Sequence, residues 1–386
     1  MRRAPRVLVI AILLLACILS RVNGQDVPRG RIVDEVKCAA DPAQIYALYL
    51  PSAYSAERHW NLLIGLHPAA RGRQIVDTYA AAAERYGYIV AGSNVSRNGP
   101  WSVSLGALQA MLADLGRRFS IDPQRVYLTG LSGGARVVLQ VALAGNNVAG
   151  VIASSAGYPD SEPRASVGFP LFATTGTEDF NYVEMRRLDR KLTSPHFLAI
   201  FDGGHALPPD GVAQEAIEWM ELQAIKSGRR PRDDELIERL LDERRQQLAT
   251  SVDPVKTVYL LNALVSDFKN LRDVSAEETR ARDLSRQRDV KRALSQDRRA
   301  VDEEWRALDE IYGLEANLRD ETRHDVSLMS LRDRLSKLAR KAASQDDSSE
   351  RGEARRVLRA VSIGASGRVQ DRAYLALVEE YARLPR

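Results

Sequence analysis

Residues 126–144 read VYLTGLSGGARVVLQVALA, and this stretch decides the fold. Its first four residues are apolar or β-branched, a pattern typical of a buried strand. GLSGG follows and matches G-x-S-x-G, and the remaining residues form an apolar helical pattern. A strand, a tight turn and a helix in this order hold a serine exposed at the end of the strand. The pattern therefore predicts Ser132 as a nucleophile, with the Gly133 N–H at the helix start directed at a developing oxyanion.

Short apolar runs alternate with helical patterns on both sides of this stretch. The predicted strands cover residues 45–50, 62–66, 88–91, 126–129, 148–153, 171–174 and 197–201. The predicted helices cover residues 74–85, 104–119, 135–144, 181–192 and 212–226. Strands separated by helices of this length indicate an α/β fold with a mostly parallel, doubly wound sheet.

The composition changes near Gly228. Residues 229–386 hold 64 of the 106 charged side chains but only four of the 25 glycines. Leucines recur there at helical spacing in the stretches 233–248, 254–270, 276–309, 327–343, 350–361 and 371–383,. The sequence therefore predicts a targeting segment (1–24), an α/β domain (25–228) and a charged all-α domain (229–386). The last third of the chain faintly resembles degenerate helical-hairpin repeats.

A serine nucleophile needs a general base, and the chain has five histidines,. His205 lies in the glycine-flanked loop DGGHA after a predicted strand, where sheets of this type place their sites,. His196 begins that strand and so lies at its other end, while His59 and His324 lack such a context. His205 is therefore the predicted base, and a structural loop histidine is the alternative.

A carboxylate that orients the base should lie between the serine and the histidine in chain order. Asp179 follows a predicted strand in the turn TGTED and is the favoured residue. Glu178, its neighbour in sequence, is the main rival, and Asp160 follows the preceding strand. Asp202 is so close to His205 in the chain that capping a turn explains its presence.

Six stretches within residues 40–228 carry a resemblance to a known family. They are LH (66–67), RYGYIV (85–90), IDPQRVY (121–127), GLSGG (130–134), GTED (176–179) and GH (204–205). Together they resemble the α/β-hydrolase fold, and within it the polyhydroxybutyrate-depolymerase and feruloyl-esterase-like family of secreted esterases. The resemblance implies Ser132 as nucleophile, His205 as general base and then acid, and Asp179 as the orienting carboxylate.

The chain departs from the family at one loop, where His67-Pro68 stands in place of the usual His-Gly. Proline has no N–H to donate, so the oxyanion hole would use the N–H of Ala69 or Ala70 together with that of Gly133. His67 is then either a substrate contact or a structural loop residue. Trp101, near the start of a predicted helix, either lines a substrate pocket or packs as an ordinary aromatic residue.

The N-terminus has the layout of a secretory signal peptide. Three arginines precede an apolar run over residues 7–19, and small residues at 22 and 24 are spaced for cleavage after residue 24. The stretch LLAC, ending at Cys17, resembles a bacterial lipoprotein box. Leu15 and the apolar residues 18–19 fit that box poorly, so free secretion, or a periplasmic location, is the favoured interpretation. A lipid anchor on Cys17 is the alternative, and an uncleaved N-terminal membrane tether is third.

Charge and cysteine content argue against a nucleic-acid-binding protein and against a disulfide-built scaffold. The 55 basic and 51 acidic residues nearly cancel, which gives little drive toward nucleic acid, and two cysteines do not build a disulfide scaffold,. We therefore expect a secreted serine hydrolase that cleaves small-molecule or polymer-derived esters through an acyl-enzyme, with no cofactor or metal. The alternatives are a serine peptidase on the same fold and a weak or inactive hydrolase used as a binding or scaffold protein. A protein partner of the helical region stays open.

Overall fold

The computed structural model describes residues 27–145, 148–158, 164–345 and 349–382. Eight strands form one sheet: β1 Ile32–Lys37, β2 Ile45–Tyr49, β3 Trp60–Leu66, β4 Tyr88–Ser93, β5 Ile121–Leu131, β6 Gly150–Ser154, β7 Leu171–Gly176 and β8 His196–Phe201. Their order in the sheet is β1-β2-β4-β3-β5-β6-β7-β8. From β4 through β3, β5 and β6 to β7 the neighbouring strands are parallel, whereas β2 runs antiparallel to both β1 and β4.

Three inner strands of this sheet, β4, β6 and β7, are buried along their whole length. β4 reads YIVAGS and β6 reads GVIAS, and every residue of both is buried. Unbroken apolar runs of this kind are what a parallel sheet requires when both of its faces are covered. β1 differs, because it carries exposed acidic residues and is joined to β2 with a register shift between Val33 and Val36.

In the described part of the chain before Gly228, five helices follow strands. They are α1 Gly72–Tyr86, α2 Trp101–Arg118, α3 Gly133–Ala144, α4 Tyr182–Lys191 and α5 Asp210–Lys226. α5 is fixed to the sheet by a buried ion pair: Glu221 accepts hydrogen bonds from Arg125 of β5 and Tyr88 of β4. A buried carboxylate is tolerated because these donors replace water.

Eight further helices follow Gly228 within the described residues. They are α6 Asp234–Thr250, α7 Pro254–Phe268, α8 Ser275–Arg286, α9 Arg288–Asn317, α10 His324–Ala342, α11 Ser349–Ser362, α12 Ala365–Arg368 and α13 Arg372–Tyr381. Apolar side chains of α9, α10, α11 and α13 form one buried cluster, with Leu331, Leu335, Val357 and Tyr374 fully enclosed.

The described chain divides into two compact units. The first contains the residues up to Thr174, together with Leu188–Phe201 and Leu207–Asp242. The second contains Thr175–Arg187, Asp202–Ala206 and the chain from Glu243 onward. Two loops that follow strands therefore belong to the same unit as the C-terminal helices.

The predicted fold class is confirmed: a mostly parallel sheet of the α/β-hydrolase type is followed by an all-α region. One predicted element is wrong, because residues 276–309 are not a single helix. Gln287 has the extended dihedral angles φ −61° and ψ 137°, which end α8 and begin α9. β1 was not predicted, since its polar pattern lacks a buried strand's apolar run,.

The predicted targeting segment 1–24, with Cys17, lies outside the described residues, as does Asp160. Among the described residues, the helices are all too short or too polar to cross a membrane.

Candidate active site

Ser132 occupies a strained turn between β5 and α3. Its backbone has φ 53° and ψ −120°, and positive φ at a residue other than glycine costs about 1–3 kcal/mol,. The Ser132 N–H donates to the carbonyl of Ser154 at 2.9 Å, which ties the turn to the end of β6. The serine thus stands at the first turn of α3, as the G-x-S-x-G pattern predicts.

Glycines allow the helix to approach the sheet behind this turn. A methyl group on Gly134 would collide with the backbone carbonyl of Leu66 at the end of β3, and one on Gly130 would collide with the backbone of Gly134. Neither obstacle is a flexible side chain, so neither can move aside cheaply. The two glycines therefore set the distance between α3 and the sheet.

The start of α3 offers backbone donors to an anion. Gly133 is the first residue of the helix, where backbone N–H groups have no partner within the helix,. The side chain of Asn98 lies against Gly133, because a methyl group there would collide with Asn98 Oδ1. Asn98 is exposed, and its own N–H donates to the carbonyl of Pro68 at 2.8 Å.

The structure brings Asp179 and His205 together. His205 Nδ1 lies 2.8 Å from Asp179 Oδ1, and the Asp179 carboxylate is completely buried. The same carboxylate accepts the Asn181 N–H at 2.8 Å and the Thr175 hydroxyl at 3.2 Å. Because a carboxylate oxygen accepts, Nδ1 carries the proton and Nε2 is left to take one.

Phe180 fixes the plane of the imidazole. Its ring stacks on that of His205 with centroids 4.0 Å apart and an angle of 22° between the planes. The histidine keeps a fifth of its side-chain surface exposed, so it is held and yet accessible.

The rival carboxylates have other partners. Glu178 pairs with Arg359 at 2.8 Å, and Asp202 accepts the hydroxyl of Thr177 at 3.2 Å.

The loop after β3 is closed by His67. His67 Nδ1 accepts the N–H of Ala69 at 3.0 Å, and the His67 carbonyl accepts the N–H of Ala70 at 3.2 Å. Ala70 completes the turn with φ 56°. Burial, and secondarily the positive charge of Arg71, lowers the pKa of His67 to about 4, so the ring stays neutral and can accept.

The remaining candidate, Trp101, is the first residue of α2 and is 40% exposed. The first compact unit contains Ser132, Gly133, Ala69, His67 and Trp101. The second contains Asp179 and His205.

Sequence reasoning missed three contributors to these sites. Phe180 follows Asp179 in the sequence, and Asn98 lies three residues before Trp101. Neither was predicted, because an aromatic or amide residue in a loop has no characteristic spacing that marks it as part of a site. Arg359, which hydrogen-bonds the loop of Asp179, is 181 residues away from Glu178 in the chain, and no local pattern reveals such a contact.

No protein-family profile matches this chain, and no curated protein matches it either. Among solved structures, a thermostable esterase is 18% identical, with a TM-score of 0.37 over 48% of this chain and 61% of its own. An esterase from the Planctomycetes species Thermogutta terrifontis is 11% identical, with a TM-score of 0.39 over 53% of this chain and 97% of its own. The AtxE2 isopeptidase is 18% identical, with a TM-score of 0.39 over 51% of this chain and 40% of its own.

Replacing Gly134 by alanine should damage the turn. The added methyl group must displace backbone, so we expect a loss of about 2 kcal/mol in the free energy of unfolding. Gly106, inside α2, has open space around it, and Gly106→Ala should instead stabilise by about 0.5–1 kcal/mol,. Urea unfolding of both variants makes the comparison. Equal stability of the two variants would contradict a turn that depends on Gly134.

His67 should make stability depend on pH. Its pKa is about 4 when folded against 6.5 ordinarily, so between these values the unfolded chain binds a proton that the native state does not,. Stability therefore falls as the pH falls through this window, and His67 should contribute about 2 kcal/mol of the loss between pH 7.5 and 5. Urea unfolding of His67→Gln should show a smaller loss than the wild type. The control is His59→Gln, at an exposed histidine, and a His67→Gln loss equal to that of the wild type would refute the prediction.

Proposed function

We propose that this protein is a serine hydrolase that cleaves carboxylic esters through an acyl-enzyme. The observation that carries the proposal is the hydrogen bond between buried Asp179 and His205. A completely buried carboxylate aligned with a partly exposed imidazole is the arrangement that prepares a histidine to act as a base. The strained turn that holds Ser132, the proposed nucleophile, supports the same conclusion.

The order of these residues along the chain agrees with the proposal. Ser132 follows β5, Asp179 follows β7 and His205 follows β8, and these are strands of one sheet. Serine, then acid, then histidine is the chain order of the α/β-hydrolase triad.

Each residue then has a defined role. Ser132 Oγ attacks the ester carbonyl while His205 Nε2 accepts its proton, and the proton passes to the leaving alcohol. A water molecule, deprotonated by the same nitrogen, hydrolyses the acyl-serine and releases the acid. Asp179 holds the imidazole in the tautomer that both steps need. The chemistry draws on protein groups and water, and we propose no metal or organic cofactor.

The oxyanion would be bound by the Gly133 N–H and one further donor. The sequence offers Ala69 or Ala70 as the second donor, but their N–H groups are bonded to His67 Nδ1 and to the His67 carbonyl and would have to leave them. The Asn98 side chain lies against Gly133 with Oδ1 as its nearest atom, and a half-turn of the amide group would bring its two N–H groups to that place,. Asparagine side chains serve as oxyanion donors in other hydrolases. We therefore favour Asn98 as the second donor.

The finer assignment rests on the sequence. We propose esters of the kind hydrolysed by the polyhydroxybutyrate-depolymerase and feruloyl-esterase-like family, and a secreted or periplasmic location, with a lipid anchor at Cys17 as the alternative. Trp101 is proposed as a wall of the substrate pocket. A serine peptidase and an inactive binding protein are the competing functions, and the experiments below separate them.

Ser132→Ala should abolish covalent labelling by a fluorophosphonate probe and lower ester hydrolysis about 10³-fold or more, because the nucleophile is gone. The assay uses full-length purified protein and a p-nitrophenyl ester. His205→Gln should behave similarly, while Ser102→Ala and His59→Gln, at exposed positions, are the matched controls. Undiminished labelling of Ser132→Ala would refute the assignment. No labelling of folded wild type would favour a binding protein, and faster cleavage of a peptide amide than of the matched ester would favour a peptidase.

Asn98→Ala should lower kcat about 10²-fold and leave KM nearly unchanged, because an oxyanion donor acts on the transition state. Asn98→Asp should be as poor, since a carboxylate has no N–H to donate. Asn61→Ala, in β3, controls for the loss of an asparagine. An unchanged kcat in Asn98→Ala would indicate that Ala69, and not Asn98, is the second oxyanion donor.

A further inference from the structure

Two arginines of α11 hold the loop that carries Asp179. Arg356 Nη1 donates to the Thr177 carbonyl at 3.0 Å, and Arg359 Nη1 donates to the Glu178 carbonyl, also at 3.0 Å. These carbonyls belong to the two residues directly before Asp179. Hydrogen bonds from a charged donor are about twice as strong as those between neutral groups. The path of the backbone into Asp179 is thus set by side chains about 180 residues further along the chain.

Arg356 is itself held in place. It makes a bidentate pair with Glu304 of α9, at 2.9 and 2.6 Å, and both side chains are largely buried. Its guanidinium also lies over the ring of Tyr182, 4.3 Å from the centroid. An arginine fixed by two partners, Glu304 and the ring of Tyr182, offers Nη1 at a defined point, which a mobile side chain does not do.

The loop is held on its other side by apolar contacts. Phe180 and Val183 pack into the buried cluster formed by α9, α10, α11 and α13. Phe180 also stacks on His205, so the imidazole plane depends on the same packing. All of these residues belong to the second compact unit.

We propose that Arg356 and Arg359 are positioning residues for the Asp179–His205 pair, and that the C-terminal helices are therefore part of the hydrolytic machinery. This inference rests on the proposed function. The two arginines act through the loop 177–180, and neither is assigned a contact with substrate. Small displacements of catalytic groups are costly, since about 1 Å of misplacement lowers rates by about 10²-fold.

Arg359 allows positioning to be separated from stability. It is 29% exposed and its partner Glu178 is 45% exposed. Exposed ion pairs contribute little to the stability of a fold. Arg359→Ala should therefore leave the melting temperature nearly unchanged while it releases the Glu178 carbonyl. Because a single nitrogen of Arg359 makes both bonds to Glu178, a lysine ammonium with three donors can replace it,.

The experiment compares Arg359→Ala, Arg359→Lys and the control Arg334→Ala in the full chain. Arg334 is an exposed arginine on α10 that pairs with Glu310, so its loss removes a similar ion pair elsewhere in the same unit. The first readout is the downfield proton signal of His205 Nδ1–H, assigned by its absence in Asp179→Asn. The second is hydrogen exchange of residues 175–182. The third is kcat and KM for an activated ester.

We expect Arg359→Ala to weaken the His205 proton signal, to speed exchange of residues 175–182 and to lower kcat about 10-fold with little change in KM. Arg359→Lys should restore all three, and Arg334→Ala should match the wild type. A proton signal and loop exchange that are unchanged in Arg359→Ala would overturn the inference, whatever the activity.

The first two readouts do not require turnover. If the wild type neither reacts with fluorophosphonate nor hydrolyses esters, the proposed function fails. Loss of the proton signal in Arg359→Ala would then still establish that α11 positions the pair.

Discussion

The buried Asp179 carboxylate is the constraint on which the surrounding structure depends. Removing a carboxylate from water is expensive unless hydrogen-bond donors replace the lost hydration. Here the donors come from three directions: the imidazole of His205, the backbone N–H of Asn181 and the hydroxyl of Thr175. Thr175 and Asn181 lie on the same segment as Asp179, whereas His205 lies on the loop after β8, so the hydrogen bond of His205 ties the two loops together.

The loop that carries Asp179 is held both by its own backbone and by the C-terminal helices. The Asp179 N–H donates to the Gly176 carbonyl at 3.1 Å, and the Glu178 N–H donates to the Gly203 carbonyl at 2.8 Å. The carbonyls of Thr177 and Glu178 are bound by Arg356 and Arg359 of α11, and Phe180 packs against apolar side chains of these helices. The dense charge of the C-terminal region therefore includes specific donors as well as a solvated surface.

The sequence predicted the features that depend on a short, local pattern of residues. Ser132 lies in a strand–turn–helix whose glycines are required because backbone segments approach closely there. Residues 126–134 are enough to reveal this pattern in the sequence. Asp179 and His205 each follow an apolar strand, so their placement at strand ends was predictable. The break at Gln287 was not predictable, because a polar residue within a polar helical pattern gives no stop signal. Nor was the contact of Arg359 with Glu178, which depends on how distant segments fold together.

The loop after β3 has no donor at Pro68, because proline lacks an N–H. The turn is closed by hydrogen bonds from Ala69 and Ala70 back to His67. The first of these bonds requires a neutral imidazole, and burial, which lowers the pKa of His67 to about 4, provides it. The Ala69 N–H is therefore engaged at neutral pH, in a loop whose backbone also binds Asn98. The turn closed by His67 and the residue Asn98 are thus linked through the Pro68 carbonyl, which accepts the Asn98 N–H at 2.8 Å.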